Sequence, residues 1–478
     1  MFKRIKELAG DSLIYGLGSF FSQFLALFLV PFYTNEFTTQ EYGVLAMVAL
    51  LTQFINPVMS LGLDNSLFRY FSMTDDYNLK KSYISSSIAL KSIFVLFSVP
   101  IIYFSYDYLN KFLFDEILTK QIFLIMLFSI ILTTMGSVSE TVIRADRRPK
   151  IFVIISVTNA LIGIIFSVYF VFWLKYGIFG ALLGTAIGLF FRGLMLTIYI
   201  IRYFDLNLVS KDSSSQLLSY GLPYIPHSIQ AQLIMLFPLF IVNQKMGMSI
   251  VGIYNVINKF TKPFWLIKNS VQKAWVPYKF YIHKKKNPVE IFNFLIRNYW
   301  ILTIFIWSVS CILFPPVFKF LINEKYHNGI DFFPFLSLLP VFQIFFHKVH
   351  TGVELAKSQK ILPKSSFVGM LAVIIISILT IDYFSVYGPI LSQSLAFFLM
   401  GIITYYYAKS IIKIKYSFHL IFIYFLISLL PVIYIYTIGD SFLNITISIL
   451  FQTTITLIYL MILNGIKILN QINYKRWK

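Results

Sequence analysis

The chain has 478 residues, of which 58% are hydrophobic, 18% aromatic and only 13% charged, and its mean hydropathy is +0.76. A soluble domain is about 45–50% apolar and about 25% charged, so a soluble multidomain protein is excluded. The net charge of +20 raises nucleic acid as a partner, but the single cysteine, Cys311, excludes an intramolecular disulfide, and the six histidines are too scattered for a metal site.

The N-terminus, MFKRIKELAGDSLIYGLGSFFSQFLALFLVPFYT, begins basic and then runs apolar. The run is about twice a signal-peptide core of 7–15 residues and no small-residue cleavage site follows it, so a retained membrane helix is expected. A spanning helix needs about 20 mostly apolar residues. Fourteen segments qualify: 12–34, 42–66, 83–106, 119–142, 151–174, 177–201, 215–243, 248–275, 291–322, 330–353, 362–383, 386–408, 417–438 and 441–464. The breaks between them are short, and no segment has the length of a soluble domain.

Lysine and arginine set the orientation of such a chain. With the N-terminus cytoplasmic, 26 of the 40 basic residues fall in cytoplasmic segments, 6 on the opposite side and 8 inside the spans. One missed helix would invert every later loop, so this asymmetry supports both the count and cytoplasmic placement of both termini. The positive charge is then loop charge, and the nucleic-acid reading loses its support.

The sequence repeats weakly with a period near 210. Tyr15-Gly16 recurs as Tyr220-Gly221, YGVL at 42–45 as VGIY at 251–254, and KYGIFG at 175–180 as VYGPIL at 386–391. Glu140 followed by Pro149-Lys150 recurs as Glu354 followed by Pro363-Lys364. Each unit holds six helices, an even number, so the halves share one orientation and form a parallel repeat. The expected architecture is an all-α polytopic membrane protein with an N-lobe (1–210, helices 1–6), a C-lobe (211–412, helices 7–12), and helices 13 and 14 with a tail (413–478). A cavity between the lobes would open to each side in turn.

Three stretches carry a family resemblance: LVPFYTNEFTTQEYGVLAMVALLTQFINPVMSLGLDNSLFRYF (29–71), VIRADRRPKIF (142–152) and KYGIFGALLGTAIG (175–188). They resemble the bacterial polysaccharide flippases, the O-antigen and capsule repeat-unit translocases of the multidrug/oligosaccharidyl-lipid/polysaccharide exporter superfamily. The resemblance implies two six-helix lobes forming a V, and movement of undecaprenyl-pyrophosphate-linked oligosaccharides across the inner membrane. It also raises association with polysaccharide polymerase or chain-length proteins. Transport of this kind needs no cofactor and no covalent chemistry. Lipid II flippases and multidrug antiporters of the same superfamily are the alternatives, with a membrane polysaccharide polymerase as a third class. The external loops lack the paired carboxylates or basic cluster that such an enzyme would present.

An ionisable residue inside a membrane span is a functional candidate by default. Eight cations qualify: Lys91, Arg192, Lys259, Lys262, Lys268, Lys273, Arg297 and Lys348. Four lie in IYNVINKFTKPFWLIKNSVQK (253–273). On one continuous helix, at about 100° per residue, Asn255, Asn258, Lys259, Lys262, Asn269 and Lys273 share an arc of roughly 100°, with Lys268 on the other side. At about 1.5 Å per residue, Lys259 and Lys262 lie roughly 17 and 21 Å into the membrane. They are candidates to attract a pyrophosphate or acidic sugar, or to pair with a neighbouring helix. Lys268 and Lys273 are expected to snorkel to the headgroups, and Pro263 to bend the helix. Arg297 and Arg192, roughly 10–15 Å from the cytoplasmic face at about 1.5 Å per residue, are candidates to extend the cationic path or to snorkel. Asp64 and Arg69 are a candidate lobe-locking ion pair. Glu140 and Glu354, at matching repeat positions, are candidates for gating or for pairing with loop arginines. His227, beside Pro223 and Pro226, is a candidate proton-coupling group or a packed polar residue. Gln23, Gln53 and Asn56 add hydrogen-bonding capacity for sugar hydroxyls.

Overall fold

The computed structural model describes residues 18, 21, 24–283, 288–355, 361–409 and 418–471. Every regular element among them is helical. Twelve helices among the described residues are long and apolar enough to cross a membrane, and they coincide with twelve of the fourteen expected spans. Of the other two, the first is represented by the helical residues 24–36 (α1). The eighth, 248–275, is not one helix: it breaks at Phe260–Thr261 into α11 (Met248–Lys259) and α12 (Lys262–His283). Pro263 explains the break, because its ring clashes with the carbonyl four residues back and it has no N–H to bond it. Both ends tighten instead: the Phe260 amide donates to Ile257 O at 3.0 Å and the Phe264 amide to Thr261 O at 3.1 Å.

By packing, the chain divides into two compact units, residues 1–260 and 261–478. In the first unit, α2 (Thr39–Met59) starts at a reciprocal cap: the Glu41 amide donates to Thr38 Oγ1 at 3.2 Å, and the Thr38 amide donates to Glu41 Oε2 at 2.8 Å. This satisfies two amides that a helix start leaves unpaired. The helix stops at Ser60–Gly62, where Leu61 (φ +53°) and Gly62 (φ +66°) are left-handed, and restarts as α3 (Leu63–Met73). Gly62 is also required by space, since a Cβ there would lie 2.1 Å from Gly221 O. Next come α4 (Tyr77–Phe104), α5 (Tyr106–Leu113), α6 (Lys120–Ala145), α7 (Pro149–Val168) and α8 (Gly177–Ile200), followed by α9 (Lys211–Gly221) and α10 (Tyr224–Met246).

The packing of α11 on α2 carries the repeat into three dimensions. A Cβ on Gly43 would lie 2.1 Å from Met248 O, and a Cβ on Gly252 would lie 1.8 Å from Thr39 O. Thr39 and Met248 are offset by 209 residues, and so are Gly43 and Gly252. The same contact is therefore made twice, once from each repeat, as a two-fold relation demands. The absent side chains let the two backbones approach closely, as small residues do between membrane helices.

The second unit holds α12, then α13 (Pro288–Leu321), α14 (Phe333–Leu355), α15 (Ile361–Phe384), α16 (Tyr387–Lys409), α17 (Phe418–Ile438) and α18 (Phe442–Gln471). Of the helices beyond the repeat, α17 is joined to α13, and α18 to α17, through buried polar groups. Ser308 Oγ donates to Ser428 O at 3.1 Å, Gln452 Nε2 donates to Ser428 Oγ at 3.1 Å, and the Tyr424 and Thr456 hydroxyls lie 2.7 Å apart.

Candidate functional site

In the first unit an ion pair sits where the second span is interrupted. Asp64 is in the first turn of α3, where the helix dipole favours an anion. Its Oδ1 accepts from Lys91 Nζ of α4 at 2.6 Å and from Ser137 Oγ of α6 at 3.0 Å. The lysine also donates to Ser137 Oγ at 2.6 Å and approaches Thr134 O at 3.5 Å. Its side chain is 0% exposed, while that of Asp64 is 26% exposed. The expected Asp64–Arg69 pair does not form. Five residues along α3 put those side chains about 140° apart, and only residues three or four apart face each other. Arg69 instead lies over the Tyr220 ring, 4.4 Å from its centroid, and the hydrogen bond with Tyr220 raises the guanidinium pKa above its ordinary value.

Arg192 of α8 is in an ion pair with Glu140 of α6, both largely buried. Its charge is compensated there, and the partner of Glu140 is this helix arginine. Arg144 meets Glu140 only at the backbone carbonyl. On α11, Asn255 and Lys259 are half-buried; at the start of α12, Lys262 and Asn269 are exposed. The helix on which these residues would share one face is interrupted at Phe260–Thr261. His227 is exposed in the first turn of α10. Gln53 is exposed, and the buried Oδ1 of Asn56 accepts no hydrogen bond among the described residues. Gln23 and the side chains of Lys273 and Glu354 lie outside the described part of the chain.

The second unit gathers basic groups on α12, α13 and α14. Lys268, expected at the headgroups, is half-buried and donates to Gln343 Oε1 of α14 at 2.7 Å, with its Nζ 4.8 Å from the Trp265 ring centroid. Lys348 is 3% exposed, with its Nζ 4.0 Å from the Trp275 ring centroid and 4.8 Å from that of Tyr299. Trp275 is fixed in turn by its Nε1 donating to Thr351 Oγ1 at 2.8 Å. Lys279, beyond the apolar part of α12, is buried, and burial pushes its ammonium down to about 8. It lies within electrostatic reach of Lys348 and His350, as Lys268 does of His347. Arg297 is half-buried on α13. Along α12–α14 the sequence carries seven lysines and arginines but two acidic residues, Glu290 and Glu354. The histidines were not singled out from sequence. Their signal is the run HKVH at 347–350, which places two imidazoles about one turn apart beside an intramembrane lysine.

Residues 8–283, more than half of the chain, match the model of a family described as polysaccharide biosynthesis protein. The chain belongs to that family. No match to a curated protein was found. Solved structures agree on the fold of this family member. It is similar to the lipid II flippase MurJ in an inward closed conformation, with a TM-score of 0.75 at 19% identity, over 95% of this chain and 99% of that one. It is similar to an inward-facing multidrug resistance MATE transporter of the MOP superfamily, with a TM-score of 0.68 at 12% identity, over 81% and 94% of the two chains. A MOP superfamily transporter from Pyrococcus furiosus gives a TM-score of 0.56 at 12% identity, over 85% and 95%. The fold is that of MOP transporters, and the protein is a multi-pass membrane protein.

Proposed function

We propose that this protein is a flippase for a lipid-linked oligosaccharide. It would carry an undecaprenyl-pyrophosphate-linked repeat unit from the cytoplasmic to the outer leaflet of the bacterial inner membrane by alternating access. Both termini lie on the cytoplasmic side in this reading, and the product feeds O-antigen (lipopolysaccharide) or capsule synthesis alongside a polymerase. The observation that carries it is the group of basic residues on α12 and α14, with Lys279 and Lys348 buried and Lys268 half-buried. Compact ammonium groups suit a phosphate that must bind and leave, and an excess of fixed positive charge in a water-poor site attracts anions more strongly than in water. The same excess repels the cationic compounds that a multidrug antiporter would carry.

Asn255, Lys259 and Arg192 from the first unit, and Lys262, Asn269 and Arg297 from the second, are proposed to contact the substrate head group. Asp64, Arg69, Glu140, Glu354 and His227 are proposed to gate or couple the cycle. Lipid II is the second reading, favoured by the similarity to MurJ across nearly the whole chain. It has the same anionic linkage and differs in the glycan. The test is complementation of a strain lacking its repeat-unit flippase. Combined Lys268→Ala and Lys348→Ala should abolish surface glycan at normal protein level. Full glycan display by that variant sinks the cationic-site reading. Rescue of a strain lacking its lipid II flippase, without rescue of glycan display, would favour the second reading.

A further inference from the structure

Lys91 is held in a way that an ion pair alone does not require. Its ammonium is enclosed by oxygens from two other helices: Asp64 Oδ1 at 2.6 Å, Ser137 Oγ at 2.6 Å and the Thr134 carbonyl at 3.5 Å. Two more buried hydroxyls lie on the same helices. Thr134 Oγ1 is on the residue that supplies the carbonyl, and Ser87 Oγ lies one turn before Lys91 on α4; both are buried and make no hydrogen bond among the described residues. One carboxylate oxygen, one carbonyl and one hydroxyl face the ammonium, and a hard cation takes oxygen donors of these kinds. The shell stands beside the interrupted backbone of α2 and α3, with Leu61 left-handed at φ +53°. Irregular backbone at membrane depth is found where it is buried in protein or lines a cavity or ion site.

We propose that Asp64, Ser137 and Thr134 form a monovalent-cation site that the protein fills with its own lysine. Lys91 Nζ is the resident cation, so this unit holds its α3–α4–α6 junction together without loading sodium or potassium there. Among the described residues Asp64 pairs with no cation besides Lys91. Among the charged groups on the elements packed around it, Glu140 of α6 pairs with Arg192, Arg69 of α3 lies over Tyr220, and Lys80 and Lys81 of α4 lie over Phe71 and Tyr77. Glu41 of α2 closes its own helix cap. Lys120 and Arg144 of α6 contact Tyr106 and Thr141, and Lys211 and Asp212 are in the exposed first turn of α9.

Shortening the lysine should vacate the site for an external cation. The test is the melting temperature of the purified full-length protein in sodium, potassium, methylammonium or choline chloride at constant ionic strength. Wild type should melt at one temperature in all four salts. Lys91→Ala should melt lowest in choline and rise by roughly 2–4 °C with added sodium or methylammonium, as a ligand bound only by the folded state demands. Lys91→Ala/Asp64→Asn should lose that rise. A folded Lys91→Ala protein blind to all small cations overturns the proposal. So does a rise that survives Asp64→Asn, or failure of Lys91→Ala to fold even with methylammonium. None of these readouts involves transport, so they stand or fall apart from the flippase reading.

Discussion

Neutralising either member of the Asp64–Lys91 pair should damage the fold, and unequally. At 2.6 Å the gross attraction is about 6 kcal/mol for an effective dielectric of about 20. Much of it is offset by desolvation, so the measurable quantity is the cost of leaving one charge behind, about 3–5 kcal/mol for a buried pair. Asp64→Asn strands the ammonium of Lys91, whose side chain is 0% exposed; Lys91→Met leaves a carboxylate that is 26% exposed and reachable by water. Asp64→Asn should therefore fall near about 5 kcal/mol and Lys91→Met near about 3 kcal/mol. The double variant should cost less than the sum, with a coupling of at least about 2 kcal/mol. Equilibrium unfolding in a mild detergent, with all four proteins compared, gives these numbers. A cost below about 1 kcal/mol for Asp64→Asn, or a larger cost for Lys91→Met, would refute the burial argument.

The remaining predictions concern packing, a second ion pair and pH. Gly252→Ala places a methyl 1.8 Å from Thr39 O, a backbone atom that cannot swing away, and should cost at least about 1–3 kcal/mol; Gly43→Ala should cost a similar amount. A neutral result at either glycine in a melting assay would contradict the reciprocal contact. Glu140→Arg combined with Arg192→Glu should recover most of the stability that either change alone removes, and a double variant as unstable as the singles would show that the pair matters little. For Lys279, the folded ammonium titrates near 8 while the unfolded one titrates at 10.5, so the unfolded chain binds more protons between those values. Stability should be flat below about pH 8 and rise from there towards pH 10.5, and Lys279→Met should flatten that rise. Binding of inorganic pyrophosphate to the second unit's basic groups should weaken over the same window, and affinity independent of pH would exclude Lys279 from the site.

The sequence shows the spans because hydropathy and loop charge are additive along the chain. Twelve candidate spans lie where the apolar windows put them. What composition hides is where a span stops being one helix. Pro263 reads as a bend, but the span it lies in is two helices, interrupted at Phe260–Thr261 between Lys259 and Lys262. Adjacency misleads in the same way at Asp64, whose charged neighbour Arg69 points elsewhere while its partner Lys91 arrives from another helix. Lys91 and Lys348 stand out in sequence as membrane-embedded cations, yet the groups that hold them, Ser137 in one case and Trp275 and Tyr299 in the other, come from helices distant along the chain. The repeat is the opposite case: an alignment as weak as YGVL against VGIY contains Gly43 and Gly252, the two residues whose missing side chains let the repeats touch.

The most direct measurement is translocation itself. Purified protein reconstituted into liposomes, with undecaprenyl-pyrophosphate oligosaccharide in one leaflet, can be followed by the exposure of the glycan to an enzyme or lectin added outside. The flippase reading predicts protein-dependent exposure that is lost in Lys268→Ala/Lys348→Ala and competed by pyrophosphate. Exposure no faster than in protein-free liposomes, together with transport of a cationic dye, would contradict it.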